Sequence, residues 1–577
     1  MKSLSLLACA TATALAITYS GMSQATISPE LKKPNIVFVL TEDMNTRLGV
    51  YGDTVARTPN LDKLAQSSVT FTNAFTMAGV SAPSRTGLIT GVFPQFLGLQ
   101  NMRTATFPEG GYVGVPPAYI KAYPELLRRN GYFTYNDLKT DYQFTKGALD
   151  VGPFTIWTKH GTPKNFDDFV VGRHVPWRTY KVNKSQPMFI ELNPMITHES
   201  GLFTKETCPK GFEMLMNVWD KVRSQTQYTP TDPASVKVDP FWVDNAKVRQ
   251  ELALFYDNIH IMDKEVGDVI RKLKADGRWD NTIFIFSADN GDGLPRHKRE
   301  GYDSGTHVPL IIHIPDQYKP KWWPKDGSKL DRLVSFEDLA PTILGFAGLP
   351  KPAYMQGVDL SKDAPASRKY VYGDRARMDT AAMRSYFIRS DQYQYVRNMD
   401  STPGGTHIAF RDQLHTTSSL YEGEKAGTLN KAQLKWLQPR PAEELYDLSK
   451  DPYQLHNIAT DPHYARVKHE LRDQLYHWRN RGNDMSLVAE GVMKKDLLDA
   501  NGQQKVTLPP VVEQDSLTGE IFIANRSDGA SIAYSYDQQN WTLYNGSFNP
   551  KSHKQVFVKA VRYGWKPSAV TEFNMTK

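Results

Sequence analysis

Short apolar runs that end in polar clusters recur along the first half of the chain. The run "NIVFVL" (35–40) stops at "TEDMN", "PMFIELN" (187–193) ends in polar residues, and "NTIFIFSADNGD" (281–292) ends in acids. Runs of this length, rich in β-branched residues and bounded by polar ones, are typical of buried parallel strands. Each run therefore predicts a strand whose carboxyl end carries charged side chains into a loop.

Helical patterns separate these predicted strands. In "TPNLDKLAQSSVTF" (58–71), Leu61, Leu64 and Ala65 follow a Thr-Pro-Asn start at helical spacing, and residues 248–277 form a long amphipathic pattern that stops near Gly277. Strands that alternate with helices predict an α/β fold with a mostly parallel central sheet flanked by helices. In such sheets, ligands bind beyond the carboxyl ends of the strands.

The pattern changes twice after this α/β domain, which we place at 26–370. The alternation in "YFIRSDQYQYVRN" (386–398) and an amphipathic helix over 461–483 predict a smaller antiparallel α+β subdomain at 371–490. A polar linker at 491–504 then precedes 505–577, where aromatic-rich alternating strands predict an Ig-like β-sandwich.

The first 25 residues have one basic residue, an apolar stretch and a small-x-small ending at Ala25. They predict a signal peptide and an exported protein, periplasmic or secreted; a lipoprotein box at "LLAC" is the less favoured alternative. No later segment approaches 18 apolar residues, so we expect no membrane span. Cleavage would remove Cys9 and leave Cys208 alone, which excludes an internal disulfide.

The net charge of +7 is spread along the chain without a dense Lys/Arg run. This distribution gives no reason to expect a nucleic-acid partner. It is compatible with an anionic substrate, but a solvated basic surface explains it equally well.

Two acidic pairs follow strongly apolar strands: Glu42 and Asp43 after the first, Asp289 and Asn290 after a later one. If they converge, their charges would repel one another unless a cation neutralised them. Oxygen-only ligands suit Ca²⁺ or Mg²⁺ and not Zn²⁺. The alternative, that each pair is an exposed loop acid, stays open on spacing alone.

Basic side chains near the same strand ends extend this hypothesis from a cation site to a site that could also bind an anion. Arg85 lies four residues after Ser81 and so shares a helix face with it. Lys139, His198 and Lys298 each follow or flank a strand end. A cation and several basic groups around one hydroxyl describe a site for a tetrahedral oxyanion, sulfate or phosphate, although any one of these residues alone could be a solvated side chain.

The stretch "SAPSRTGLITG" (81–91) resembles the sulfatase signature C/S-x-P-S-R-x-x-x-x-x-G. In the same order, "PNIVFVLTED", "FSADNGD", "KREGYDSGTHVPLII" and "ELYDLSKDPYQLHNIA" resemble further sulfatase motifs, between about residues 34 and 485. The chain thus resembles the serine-type, formylglycine-dependent sulfatases of the alkaline phosphatase superfamily, in particular bacterial polysaccharide sulfatases. The resemblance implies an alkaline-phosphatase-like α/β core with a smaller antiparallel C-terminal subdomain.

The resemblance also implies roles. Ser81 would be oxidised to formylglycine (3-oxoalanine) by an anaerobic-type radical sulfatase-maturating enzyme, which points to a bacterial source. Its hydrate would be the nucleophile, stabilised by Arg85. Lys139 and Lys298 would bind sulfate oxygens, and His198 would contact sulfate or protonate the leaving alkoxide. One Ca²⁺ ion would be held by Glu42, Asp43, Asp289 and Asn290.

This chain departs from the family pattern at two positions. Glu42 replaces the first of the usual paired aspartates, and Asp141 stands where the motif that contains Lys139 usually has a histidine. The missing histidine leaves more of the acid–base role to His198. Further candidates for substrate binding are Arg103, His174, Trp177, Arg178, Arg375 and Arg377.

The last seventy or so residues resemble the small β-sandwich appended to chitobiases and hexosaminidases. Trp541, Tyr544 and Trp565 could stack on sugar rings there, or form the core of the module.

The expected function is hydrolysis of sulfate esters on a sulfated carbohydrate, an ulvan- or carrageenan-type algal polysaccharide or its oligosaccharides. The alternatives are a glycosaminoglycan sulfatase, a phosphomonoester or phosphodiester hydrolase on the same fold, and a glycan-binding pseudoenzyme.

Overall fold

The computed structural model describes residues 32–102, 113–163, 166–379, 381–408 and 410–575. The predicted signal peptide and Arg103 lie outside these ranges. No helix in the described ranges is long and apolar enough to cross a membrane.

An eight-stranded sheet forms the centre of the α/β part, in the order β4-β3-β5-β1-β6-β7-β2-β8. Its strands are β1 Asn35–Thr41, β2 Val69–Phe75, β3 Phe133–Asn136, β4 Lys159–His160, β5 Met188–Leu192, β6 Thr282–Ala288, β7 His307–His313 and β8 Lys329–Ser335. Strand β7 runs antiparallel to both neighbours, and the other pairs are parallel. The prediction of a mostly parallel sheet is confirmed.

The pairing register of β1 and β6 determines where the polar residues that follow the two strands lie relative to each other. Asn35 is paired with Thr282 and Thr41 with Ala288, so both apolar runs end at the same level. All seven positions of each strand are buried, as expected for the middle of a sheet covered on both faces.

Twelve α-helices occur in the described ranges. They are α1 Pro59–Ala65, α2 Ser81–Thr90, α3 Tyr123–Arg129, α4 Pro176–Thr179, α5 Glu213–Gln225, α6 Ala246–Ala275, α7 Asp303–Thr306, α8 Leu339–Phe346, α9 His415–Ala426, α10 Lys431–Leu437, α11 Ala465–Arg479 and α12 Glu490–Met493. The side chain of Asn245 caps the start of α6 by accepting a hydrogen bond from the Val248 N–H. All ten residues of α2 are buried, and the helix stops at Gly91, whose φ of +67° favours glycine.

A second, antiparallel sheet follows in the order β12-β11-β10-β9. Its strands are β9 Val371–Met378, β10 Ala381–Arg389, β11 Tyr393–Asn398 and β12 Glu443–Asp447. Helix α11 packs on it: the Trp478 ring stacks on Tyr372, and the Arg479 guanidinium lies 3.8 Å from the Tyr386 ring centroid. The predicted antiparallel α+β element is therefore present.

The C-terminal residues form two small antiparallel sheets, β13-β14 and β16-β15-β17-β18. The strands are β13 Val511–Gln514, β14 Ile521–Ala524, β15 Ser531–Ser535, β16 Thr542–Leu543, β17 Gln555–Val561 and β18 Thr571–Asn574. Ile521 and Ile523 of the first sheet share an apolar core with Val556 and Val558 of the second. The more specific resemblance to a chitobiase module stays a prediction.

The segment predicted as a linker is more ordered than expected. It begins inside α12, where Met493 is buried, and the preceding Glu490 pairs with Arg377. A β-bridge between Leu498 and Gln504 then folds the chain back on itself.

Candidate active site

The two acidic pairs meet where β1 and β6 end. The backbone N–H of Asp43 donates to Asp289 Oδ1 at 3.1 Å, and Asn290 Nδ2 donates to Asp43 Oδ1 at 2.9 Å. Asp43 has a φ of +43°, a left-handed conformation that aspartate tolerates better than most residues. Glu42, Asp43, Asp289 and Asn290 are all fully buried, so the alternative of exposed loop acids is wrong.

Helix α2 brings Ser81 and Arg85 to this cluster. Ser81 is the first residue of the helix, and its Oγ lies 3.2 Å from Asn290 Oδ1 and 3.4 Å from Glu42 Oε2. One turn later, Arg85 Nε donates to Asp289 Oδ2 at 2.9 Å, and Nη2 donates to Glu42 Oε1. The two residues therefore face the same acids, as their spacing predicted.

The three remaining basic residues surround the same carboxylates. Lys139 Nζ donates to Glu42 Oε2, and Lys298 Nζ donates to Asp43 Oδ2 at 2.7 Å. His198 Nε2 lies 4.0 Å from Asp43 Oδ2, and its side chain is 17% exposed. The structure thus brings together all nine residues proposed as catalytic or metal-binding: Glu42, Asp43, Ser81, Arg85, Lys139, His198, Asp289, Asn290 and Lys298.

Burial shapes the titration of these acids. It raises the pKa of Glu42 to about 7, with the Asp289 charge adding to the effect, and it also raises the pKa of Asp43. Burial acts in the same direction on Asp289, but Arg85, Lys139 and Lys298 outweigh it and lower the pKa of that carboxyl. Raised carboxyl pKa values mark a cluster that is short of positive charge.

A hard divalent cation fits this cluster. Glu42, Asp43 and Asp289 can each present an oxygen within 4.8 Å of the others, and Asn290 Oδ1 faces the same space through its contact with Ser81. Carboxylate and amide oxygens are ligands of Ca²⁺ and Mg²⁺. Glu42 thus stays among the candidate ligands despite its extra methylene.

A second acidic group that includes a histidine is a poorer cation site. It consists of Asp43, His198 and Glu199. Both oxygens of Glu199 are bonded to Arg299, at 2.9 and 2.7 Å, and one is also 3.1 Å from Lys298. Because both Glu199 oxygens already contact Arg299 or Lys298, they are less available as metal ligands.

The tautomer of His198 follows from its contacts. Burial, reinforced by the charges of Lys298 and Lys139, lowers the pKa of His198 well below its usual range, which favours the neutral ring. The Ser200 N–H donates to Nδ1 at 3.2 Å, which leaves the ring proton on Nε2. The Nε2–H group is the one on the side of Asp43.

Sequence reasoning missed the pair formed by Glu199 and Arg299. The Glu199 N–H donates to Asp43 Oδ2 at 2.8 Å, and Arg299 also donates to Asp379 at 2.7 Å. Both residues are adjacent to predicted ones, His198 and Lys298, and this adjacency is the signal that could have found them. Their role is to hold Lys298 and the backbone at His198 in place.

Several weaker substrate candidates do not join the site. Arg178 is exposed and donates two hydrogen bonds to Asp276, just after α6 and before the amino end of β6. Because β6 spans seven residues, this ion pair is about 23 Å along the strand direction from Asp289. Arg178 therefore lies away from the buried acids, and its assignment to substrate binding stays a prediction.

The other candidates also have contacts outside the cluster: Trp177 is buried, and its Nε1 donates to Asp276 Oδ2 at 2.7 Å. His174 is exposed, next to Arg173, whose carbonyl accepts a hydrogen bond from Lys272 in the last turn of α6. Arg377 makes two hydrogen bonds to Glu490, and Arg375 donates to backbone carbonyls, among them Arg299 and Met383. These contacts give Arg375 and Arg377 structural roles and no place at the buried acids.

The aromatic candidates in the C-terminal strands are half-buried. Tyr544 packs against the core of the two small sheets, and its hydroxyl accepts from the Ile523 N–H. Trp565 donates to the Asp496 carbonyl, and Trp541 donates to the Gln538 carbonyl.

A buried hydroxyl at a helix start, an oxygen-only cation cluster and a ring of basic groups define a hydrolase for a tetrahedral oxyanion ester. Residues 34–349 match the family model described as "Sulfatase". An ulvan-active sulfatase of Formosa agariphila is 31% identical over 94% of this chain and 91% of its own length. The chain belongs to the sulfatase family and is a sulfuric ester hydrolase.

Another curated relative agrees with this conclusion, and solved structures share the fold. The human N-sulphoglucosamine sulphohydrolase is 28% identical over 80% of this chain and 93% of its own. A structure described as a 2-O GAG sulfatase has a TM-score of 0.56 at 21% identity, and a sulfatase structure from Bacteroides thetaiotaomicron has 0.54 at 20%. Each covers 78% of this chain and 93% of its own. These two structures show the fold.

Proposed function

We propose that this sulfatase removes sulfate from an algal polysaccharide of the ulvan or carrageenan type, or from its oligosaccharides. The observation that carries the proposed chemistry is the Ser81 hydroxyl, which is held against Glu42 and Asn290 at the start of α2. The substrate class is supported by the similarity to an ulvan-active sulfatase along nearly the whole chain.

Ser81 is proposed to be oxidised to formylglycine by an anaerobic-type radical maturase. When formed, the hydrated aldehyde would supply two hydroxyls: attack of one on sulfur would break the bond from sulfur to the sugar oxygen, and loss of the proton of the other would expel sulfate as the aldehyde re-forms. Arg85 sits one turn away and is held by Asp289, Glu42 and Asn193, so its guanidinium is fixed beside this position. Such rigid placement is what a reacting group needs.

One Ca²⁺ ion is proposed to be held by Glu42, Asp43, Asp289 and Asn290, where it supplies positive charge that polarises the sulfate. Lys139 and Lys298 flank these acids, and each ammonium has further N–H groups beyond its carboxylate bond to offer to sulfate oxygens. Burial makes these charged contacts stronger than they would be in water.

His198 is proposed to interact with the oxygen of the departing sugar. Because Nδ1 accepts from Ser200, the ring presents Nε2–H to the site and can donate a hydrogen bond to the oxygen of the departing sugar, which stabilises the charge that develops there; transfer of a proton to that oxygen would require the imidazolium form. Its partial exposure places it where the site meets solvent.

Sulfate release from a panel of defined sulfated oligosaccharides tests the substrate class, after co-expression with the maturase. Release from ulvan- or carrageenan-derived oligosaccharides is expected. Release from glycosaminoglycan fragments alone would favour the second candidate, which the similarity to the human N-sulphoglucosamine sulphohydrolase supports.

Mass spectrometry of the peptide that contains Ser81 tests the modification separately. The expected product is formylglycine at that position. Unmodified serine in an enzyme that releases phosphate from phosphomonoesters or phosphodiesters would contradict the proposal.

The proposed location is the periplasm or the medium, after cleavage behind Ala25. The N-terminal sequence of the mature protein and its recovery from an osmotic-shock fraction test this. Recovery of the uncleaved chain from the cytoplasm would contradict it.

A further inference from the structure

A cavity of 340 Å³ lies between the edge of the central sheet and the C-terminal strands. One wall comes from β4 and the residues just before it, with Lys159 and His160. The opposite wall comes from Trp541 and from Lys559 on β17. The proposed catalytic mechanism uses none of these residues.

The lining of this cavity is basic and contains no carboxylate. Arg128, Lys159 and Lys559 contribute three cations. Within the described residues, no carboxylate pairs with any of the three: Arg128 donates only to backbone carbonyls, and the ammonium groups of the two lysines have no hydrogen-bond acceptor. In most proteins such a concentration of like charge is balanced by acids or by a bound anion.

The arrangement of Lys559 adds an aromatic component. Its Nζ lies 4.0 Å from the ring centroids of both Phe154 and Trp541, so two rings hold the cation in place. Burial, together with the charge of Arg128, lowers the pKa of Lys559, as expected for a cation without an anionic partner. Aromatic rings beside fixed cations are suited to a ligand with both apolar sugar faces and negative charges.

The hydrogen bonding of His160, which lines the cavity, is also incomplete. Both ring nitrogens of His160 are buried and make no hydrogen bond of standard geometry in the described part of the chain, although the adjacent Gly161 backbone also acts on the ring. The carboxylate that acts on this ring, Asp150, accepts N–H groups from Lys146 and Gly152 and does not line the cavity. Buried polar atoms without partners are rare, and a bound polar group would complete this wall.

One end of the cavity, at His160, lies at the same edge of the sheet as the active site. His160 is level with Asn136, the last residue of β3, so β4 ends at the carboxyl edge of the sheet. Strand β4 is three strands from β1, a separation of about 14 Å. An extended chain of sugars could contact both places.

We propose that this cavity is a second, non-catalytic binding site for a sulfated saccharide. The preference for a sulfate-bearing sugar follows from the lining, whereas the choice of ulvan as the probe rests on the proposed function. The site would hold a polymeric substrate near the active site without taking part in the reaction.

Binding is tested in the full-length Ser81→Ala variant, which cannot turn over its ligand, with ulvan and chemically desulfated ulvan as probes in affinity electrophoresis. Lys559→Gln is expected to weaken ulvan binding about tenfold, the loss of one charged contact. Desulfation of the polymer is expected to weaken it at least as much. Lys159→Gln, whose ammonium has no hydrogen-bond acceptor to lose, gives a second variant that should fold normally and also weaken ulvan binding.

The matched control is a second lysine–tryptophan pair in the same region. Lys505 Nζ lies 5.5 Å from the Trp565 ring, outside the cavity. Lys505→Gln should leave ulvan binding within twofold. Equal losses in Lys559→Gln and Lys505→Gln, or equal binding of sulfated and desulfated polymer, would overturn the proposal.

Activity separates this proposal from the proposed function. With an intact Ser81, Lys559→Gln is expected to raise KM for the polymer about tenfold and leave hydrolysis of 4-methylumbelliferyl sulfate unchanged. Absence of sulfate release from ulvan in the unmutated enzyme would reject the proposed substrate alone, because ulvan binding is measured independently. An unchanged KM for the polymer would reject the second site.

Discussion

The active site and the cavity beside β4 both contain several basic side chains, but the two sites differ in whether these cations are paired with carboxylates. In the active site, Arg85, Lys139 and Lys298 each contact a buried carboxylate. In the cavity, Lys159 and Lys559 contact none among the described residues. Paired charges hold groups in one geometry, which a reaction requires. A cation that is not paired with a carboxylate can attract an anionic ligand, and binding requires no more than this attraction.

The largest effect on sulfate release is expected from loss of the Ser81 hydroxyl, compared with loss of the nearby Ser84 hydroxyl. Ser81→Ala should lower sulfate release by more than about 10⁴-fold, since removal of a nucleophile costs at least this much in other hydrolases. Ser84 is the matched control: it lies in the same helix, is equally buried, and its hydroxyl has no partner in the described structure. Ser84→Ala should retain activity within a few fold. Similar losses in both variants, with formylglycine still formed at position 81 in Ser84→Ala, would assign the effect of Ser81 to helix packing.

Removal of one charge from the acid cluster should weaken cation binding. Glu42→Gln is expected to lower activity about 100-fold at limiting Ca²⁺, because a ligand charge is lost and Arg85 and Lys139 lose their shared partner. Excess Ca²⁺ should restore part of the activity. Glu42→Asp keeps the charge and should stay within about tenfold. If Glu42→Gln shows the same Ca²⁺ dependence as the unmutated enzyme, Glu42 is not a ligand.

The cavity depends on how the C-terminal strands dock, and Glu125 is central to that docking. Its buried carboxylate accepts hydrogen bonds from Thr155, Ser531 and Tyr563. Although burial opposes its charge, Lys121 and Arg129 lower the pKa of Glu125 to about 2. A lowered pKa contributes stability above the unfolded value of 4.5 that is lost as the pH falls toward 2.

Glu125→Gln should therefore reduce the free energy of unfolding by about 3 kcal/mol at pH 7 and flatten its pH dependence between pH 5 and 3. Urea unfolding at several pH values measures both. Glu206→Gln, at an exposed carboxylate paired with Lys247, is the control and should leave the free energy of unfolding and its pH dependence nearly unchanged. An unaltered pH profile in Glu125→Gln would show that Glu125 does not stabilise the docked state.

The smallest effect concerns two arginines with similar ion pairs. Arg299→Gln removes the partner of Glu199 beside Lys298 and should lower kcat/KM about tenfold, mainly through kcat, because it positions residues that touch substrate. Arg299→Lys should recover part of the loss. Arg178→Gln breaks an exposed pair with Asp276 and should change kcat/KM less than twofold. A larger effect from Arg178→Gln would support its assignment to substrate binding.

The elements and most of the candidate site could be predicted from the sequence because their signals are local. The apolar runs before Glu42 and Asp289 are long enough to specify buried strands, and polar residues directly after them must lie at the strand ends. The spacing of Ser81 and Arg85 specifies one helix face. Arg178 and Arg377 could not be sorted this way, because whether an arginine is free or paired with an acid depends on residues far away in the chain.

The sequence by itself determined the alternation of strands and helices, the chemistry available at each strand end and the resemblance to sulfatases. Only the tertiary structure decided which of these groups meet. The pairing of β1 with β6 joins residues more than 240 positions apart, and docking of the C-terminal strands creates the cavity around Lys559. The physical reason is that backbone preference and hydrophobic pattern act over a few residues, whereas burial, charge pairing and pKa are set by whatever the packed core places nearby.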